Sequence, residues 1–249
     1  MRRVLASLLL AAATAAPAAA ETRSFRADYS VTLLGLPVAK ARFDSPFDGG
    51  RFSIEGSMSS SGIARIFDDT KGTTKVEGSI RRDRVQPHAF ESSYVTGRKK
   101  SATSIRFSGD RVASAVNTPQ PRRDPKSWIP VSAGDLRAAL DPISSSLVPA
   151  ARPEEVCERT IRFFDGEMRG DLRLSHRSGP ERGRVTCDAR FVPVAGYRKG
   201  RKQIEFMKSS PIRISFAPLG DTGLYTPVEA SVGTQIGTLR ITASRIEAR

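Results

Sequence analysis

Histidine, cysteine and tryptophan are nearly missing from this chain, with two, two and one among 249 residues. His88 and His176 stand alone and far apart, so neither offers the ligand spacing of a metal site. The two cysteines, Cys157 and Cys187, lack the Cys-x-x-Cys spacing that lowers a thiol pKa, which argues against redox exchange. There is no glycine-rich phosphate loop and no Gly-x-Ser-x-Gly elbow, which excludes Rossmann-like, P-loop and serine-hydrolase readings. The run Ser59-Ser60-Ser61-Gly62 has no histidine near it in sequence. The paired acids Asp68-Asp69 and Glu154-Glu155 are adjacent, so on a strand they point apart rather than into one cleft. No catalytic residue, metal or cofactor is therefore expected, and the chain does not read as an enzyme. Negative charge is also scarce: 26 acidic residues face 40 basic ones, for a formal net charge of +14.

Long apolar runs are absent after the first 20 residues. Met1-Arg2-Arg3 is a basic start, Val4 to Ala16 is apolar but too short to span a bilayer, and Ala18-Ala19-Ala20 suits cleavage. Residues 1–20 read as a Sec signal peptide and 21–249 as one exported domain without a further membrane span. No cysteine follows the apolar run, so lipoprotein processing is not expected. The expected compartment is the periplasm, where a single cysteine pair forms a structural disulfide. So basic an exported surface favours anionic partners: lipid headgroups, lipopolysaccharide, a lipoprotein or peptidoglycan, rather than nucleic acid. The densest basic cluster is Arg198, Lys199, Arg201 and Lys202. Smaller ones lie at Arg81 to Arg84, Arg98 to Lys100 and Arg122-Arg123, each where a turn or loop is expected.

Period-two alternation dominates what remains. Val185, Cys187, Ala189 and Phe191 alternate with Arg184, Thr186, Asp188 and Arg190, the pattern of a half-buried strand. Phe25, Ala27, Tyr29, Val31 and Leu33 do the same with Arg26, Asp28, Ser30 and Thr32. Cys157 to Phe191 reads as three short antiparallel strands bracketed by the disulfide. In a meander the outer strands lie too far apart for that bond, so either Cys157 swings in from just before its strand or the strand order is not a simple meander. Strands follow one another to Val116, including a hairpin at Gly109-Asp110, and resume from Gln203 to Met207 through Ile246, about a dozen in all. Between them Thr118 to Pro130 is a proline-rich crossover carrying Trp128. Ser132 with Asp135 resembles a capping box, which predicts one helix from Ser132 to Leu140. The fold class is mainly β: one curled antiparallel sheet, a half-open barrel or β-spiral, wrapped around one short helix.

Several short motifs also carry a resemblance. Tyr29-Ser30-Val31 with Gly35-Leu36-Pro37-Val38, Asp141-Pro142-Ile143-Ser144, Cys157 before Phe164-Asp165-Gly166, Cys187 before Ala195-Gly196-Tyr197, and Pro227-Val228 look like the exported proteobacterial family called domain of unknown function 3108. The likeness covers nearly all of 21–249. It implies a periplasmic, mostly β protein without assigned activity, shaped like the half-open barrels of lipoprotein carriers and envelope-integrity β-spiral proteins. The turn reads Phe164-Asp165-Gly166-Glu167-Met168-Arg169, less basic than the resemblance leads one to expect.

These readings converge on a non-enzymatic envelope protein that binds a hydrophobic or anionic component in a concave β surface. Arg198, Lys199, Arg201 and Lys202 form its expected basic rim, with Trp128 at the mouth and an apolar lining of residues such as Phe25, Tyr29 and Phe191. The rival expectation is a scaffold with a filled interior that binds protein or peptidoglycan, and a hydrolase ranks last.

Overall fold

A computed structural model describes residues 23–248, apart from 49, 63, 68, 82 and 182. The expected signal peptide, 1–20, lies outside the described residues. The chain begins with β1 (Arg23–Leu33), β2 (Leu36–Asp48), β3 (Arg51–Ser60), a four-residue helix α1 (Ala64–Phe67), β4 (Thr70–Arg81) and β5 (Arg84–Thr96). β6 (Lys99–Ser108) and β7 (Arg111–Thr118) follow. A long crossover contains β8 (Trp128–Ile129), a 3-10 turn at Ser144–Ser146, β9 (Val148–Pro149) and a second 3-10 turn at Pro153–Val156. Then come β10 (Thr160–Phe164), β11 (Arg169–Glu181), β12 (Arg184–Ala195), β13 (Tyr197–Arg198) and helix α2 (Lys202–Ser209). The chain closes with β14 (Ile212–Pro218), β15 (Leu224–Thr234) and β16 (Gly237–Ala248).

The long strands form one antiparallel sheet in the order β10-β11-β12-β14-β15-β16-β1-β2-β3-β4-β5-β6-β7. It curls without closing, and one inward face runs all the way round. Ile214 pairs with Ala230, Ala230 with Ile241, Ile241 with Val31, and Val31 with Ala39. The alternation in sequence fixes this face: along β12 Val185, Cys187, Ala189 and Phe191 are buried, whereas Arg184 and Arg190 are exposed. A one-residue slip in register would turn every one of these side chains outward. Glycines at Gly56 and Gly78 leave room on the same face for the rings of Phe43 and Phe52, which a Cβ would strike.

The antiparallel register sorts the connections onto two rims. The upper rim carries the turns after β1, β3, β5 and β15, with the start of β11 and the end of β12. The lower rim carries the hairpins after β2, β4, β6, β11 and β14.

The expected helix from Ser132 to Leu140 does not form. Its capping box does: the Ser132 amide and hydroxyl donate to Asp135 Oδ2 at 2.8 and 2.7 Å, and the Asp135 amide donates to Ser132 Oγ at 3.2 Å. Ala138, however, has φ 54°, in the left-handed region, so no regular helix passes it. The backbone finds partners on the sheet edges instead. Ala138 N–H donates to Asp110 O at 2.6 Å beside β7, Leu140 N–H donates to Arg162 O at 2.9 Å, and Phe164 N–H donates to Leu140 O at 2.8 Å on β10. The segment is thus a strap between the two free edges of the sheet, and it covers groups that would otherwise template aggregation. Buried Arg169 holds it, donating from Nε to Asp135 O at 2.9 Å and pairing through NH1 with Asp171 at 2.6 Å. Asn117 of β7 donates to Gly166 O at 2.9 Å and draws the edges together again.

The eight-residue helix lies elsewhere. α2 occupies the stretch that the alternation assigned to a strand, Gln203 to Met207, and it buries Ile204. Glu205 and Lys208 pair along its outer side at 2.8 Å. Seven or eight residues of mixed polarity suit either period, and the helical spacing of Ile204 and Met207 decides this one.

The disulfide joins Cys157 to Cys187 with Cα atoms 5.4 Å apart, and both residues are fully buried. Cys157 follows the Pro153–Val156 turn, ahead of β10, so it reaches over the concave face to β12 past the intervening β11.

Candidate functional site

Packed side chains fill only part of the concave face. Under α2 lies a cavity of about 820 Å³ whose floor is made of inward residues of β10, β11, β12, β14 and β15, among them Phe163, Leu172, Phe191, Ile214 and Val232. Ile204 and Met207 of α2 form its lid. Its mouth is charged, with Arg122, Arg198 and Arg201 set against Asp165 and Glu167. Burial raises the Glu167 pKa, against the pull of Arg123 and Arg201. Asp165 caps the turn beneath, accepting the amides of Glu167 at 2.9 Å and Met168 at 2.7 Å.

Trp128 sits at this mouth, half-buried, in a two-residue pairing of β8 with β13 that places it opposite Arg198. The Arg123 guanidinium lies 5.6 Å from its ring centroid, a cation–π contact that holds the ring in place. Asp124 anchors the same loop. Its carboxylate accepts the Lys126 amide at 3.1 Å and the Ser127 hydroxyl at 2.9 Å, and these bonds hold its pKa below the ordinary value.

Of the expected rim, Arg198 and Arg201 line the cavity. Lys199 and Lys202 are exposed and do not line it; Lys199 is fixed by its amide, which donates to Ser127 O at 2.7 Å. Arg122, from a separate cluster in sequence, joins the mouth.

Phe25, Tyr29 and Phe191 do not share one cavity. Phe191 belongs to the space under α2, whereas Phe25 and Tyr29 line a second, almost wholly apolar cavity of about 320 Å³ on β1, β2, β3 and β16. There the strap contributes Ile143 and Leu147. Tyr29 packs edge-on to Phe43 at 5.9 Å and donates its hydroxyl to Pro227 O at 2.8 Å, so its one polar atom is spent. Burial raises its phenol pKa. The two cavities adjoin where Ala230 of one pairs with Ile241 of the other.

The residues missed in sequence are mainly the floor of the larger cavity, Leu172, Ile214 and Val232. Their strand alternation was a usable signal. That they face the same space as Phe191 follows only from the strand order.

A further cleft of about 830 Å³ opens on the lower rim between the β4–β5 hairpin and β10, beside Arg81, Arg84, Arg159 and Arg162, with Asp83 and Asp110 interleaved. Among the described residues no three His, Cys, Asp or Glu side chains gather as a metal site, and no helix is long and apolar enough to cross a membrane.

The fold and its hollow interior define a half-open, barrel-like β protein with a basic mouth. The chain belongs to the family described as protein of unknown function (DUF3108), whose profile matches residues 26–244. Among solved structures it is similar to a beta-barrel-like protein of domain of unknown function DUF1849 from Brucella abortus. The identity is 10%, the match covers 93% of this chain and 100% of that one, and the TM-score is 0.47. A search of curated proteins found no match.

Proposed function

We propose that this is an exported, non-enzymatic envelope protein that binds an amphiphile with an apolar tail and an anionic head, such as a lipid, a lipoprotein's acyl group or a lipopolysaccharide fragment. The observation that carries the reading is the cavity of about 820 Å³ under α2, apolar on its floor and lid and edged by Arg122, Arg198 and Arg201. Burial of a tail against Phe163, Phe191 and Ile214 supplies affinity without direction, and the guanidiniums fix which end faces out. The adjoining cavity at Tyr29 offers a continuation for a longer chain. Export is supported by the basic-apolar start of the sequence and by a buried disulfide, which persists in an oxidising compartment. The scaffold alternative, without a small ligand, draws its support from a filled interior, and the two cavities favour the binding reading over it.

Native mass spectrometry of protein purified from an envelope extract, followed by lipid analysis, tests the proposal. A stoichiometric acylated species is the expected result. An apo mass that persists after addition of anionic lipids would overturn it and direct attention to protein or peptidoglycan partners.

A further inference from the structure

The two rims of the barrel differ in a way that neither core packing nor the cavity requires. On the lower rim four tip arginines have an acid beside them: Arg51 pairs with Asp48 at 3.0 Å, Arg84 with Asp83 at 3.7 Å, Arg111 with Asp110 at 3.8 Å, and Arg23 with Asp221, while Arg81 and Arg184 stay unpaired among the described residues and no large apolar side chain is exposed there. The upper rim sets exposed apolar side chains beside unpaired cations. Among the described residues six large apolar side chains are exposed, and five of them, Leu34, Leu36, Tyr94, Val95 and Ile236, lie towards this rim; Val116 pairs with Ser104, midway down β6. Arg98, Lys99 and Lys100 at the β5–β6 hairpin make no ion pair among the described residues, nor do Arg65, Lys199 and Lys202.

The tip itself is made against local preference. Leu34 and Gly35 both have positive φ, 53° and 82°, so they form a two-residue primed turn whose first position favours asparagine. A leucine there is strained and 69% exposed, and Ile236 on the neighbouring β15–β16 tip is also 69% exposed. The two hairpins are joined by the Leu34 amide, which donates to Thr238 O at 3.2 Å, so their apolar side chains form one patch.

We propose that this rim docks on an anionic lipid bilayer, with Leu34, Leu36 and Ile236 entering the interface and Arg98, Lys99 and Lys100 meeting headgroup phosphates. Apolar tips flanked by unpaired cations match that surface on both counts. The inference goes beyond ligand binding and stands whether or not the cavity is loaded.

Flotation of the mature protein with phosphatidylethanolamine/phosphatidylglycerol vesicles, against phosphatidylcholine vesicles, tests it. The wild type is expected to float with the anionic vesicles and to lose most of that binding at high salt. L34N/L36T/I236T should reduce partitioning by about tenfold or more. R98Q/K99Q/K100Q should reduce it by about fivefold per cation removed. All these positions are exposed, and unchanged circular dichroism with melting no lower than that of the wild type confirms that the variants fold. Failure of the wild type to float overturns the proposal. So does binding that survives the upper-rim changes but falls with R84Q/R111Q on the lower rim. Either failure would leave lipid co-purification, the test of the cavity, unaffected.

Discussion

Asp141 is the most conspicuous single residue in the strap. It is fully buried and accepts the amides of Ile143 at 2.9 Å and Ser144 at 2.8 Å, yet its Oδ2 and the buried Ser144 hydroxyl have no hydrogen-bond partner among the described residues. Burial raises its pKa to about 6, against the pull of the Ile143 and Ser144 amides. A folded pKa above the unfolded value of 3.8 means that its contribution is fully present below about pH 4 and is lost as pH rises through 6. The loss amounts to about 3 kcal/mol at neutral pH. Asp141→Asn is therefore expected to flatten the fall in melting temperature between pH 4 and 7, and a slope equal to that of the wild type in that window would refute the assignment. At the mouth, Arg198→Ala with Arg201→Ala should weaken an anionic amphiphile about tenfold or more by isothermal titration while leaving a neutral hydrophobe little changed. Equal losses for both probes would remove the arginines from headgroup binding.

The elements that shape the interior are those held by tertiary contacts. Arg169→Met would strand the Asp135 carbonyl and leave Asp171, which is largely buried, without its partner. A cost of about 2–4 kcal/mol follows, with faster amide exchange in the strap than in β12. The disulfide closes a sequence separation of 30 residues, for which chain entropy gives roughly 3–4 kcal/mol. Changing Cys157 and Cys187 to alanine should lower the denaturant midpoint and raise the slope, because the unfolded chain is no longer cross-linked, as chemical denaturation would show. The α2 lid rests on few side chains, and Ile204→Ala is expected to cost about 2 kcal/mol and to increase uptake of an environment-sensitive apolar dye. Loss of stability without greater uptake would mean that α2 does not gate the cavity.

At the scale of the molecule, a sheet that curls without closing leaves a concave surface larger than its own side chains can fill, and the protein manages its two open edges with the strap. The result is a curled sheet with two cavities beside its packed cores and an upper rim that carries exposed apolar tips next to unpaired cations.

Much of this was legible in the residues. Alternation along β1 and β12 specified strands and their inward faces, because a period of two leaves no other consistent burial. The cysteine pair also specified its bond, as the two cysteines had no other intramolecular partner. Two elements were decided elsewhere. Ser132 and Asp135 formed their capping box, but the helix it announces lost to hydrogen bonds offered by unpaired strand edges far away in sequence. Gln203 to Met207 became a helix because Ile204 and Met207 could close over a cavity that exists only once β10 to β15 are in order. Local pattern thus determined the strands, the staple and the basic surface. The cavity, its lid and the sorting of exposed residues onto one rim depended on strand order and curl, which arise from contacts between residues that no local period relates.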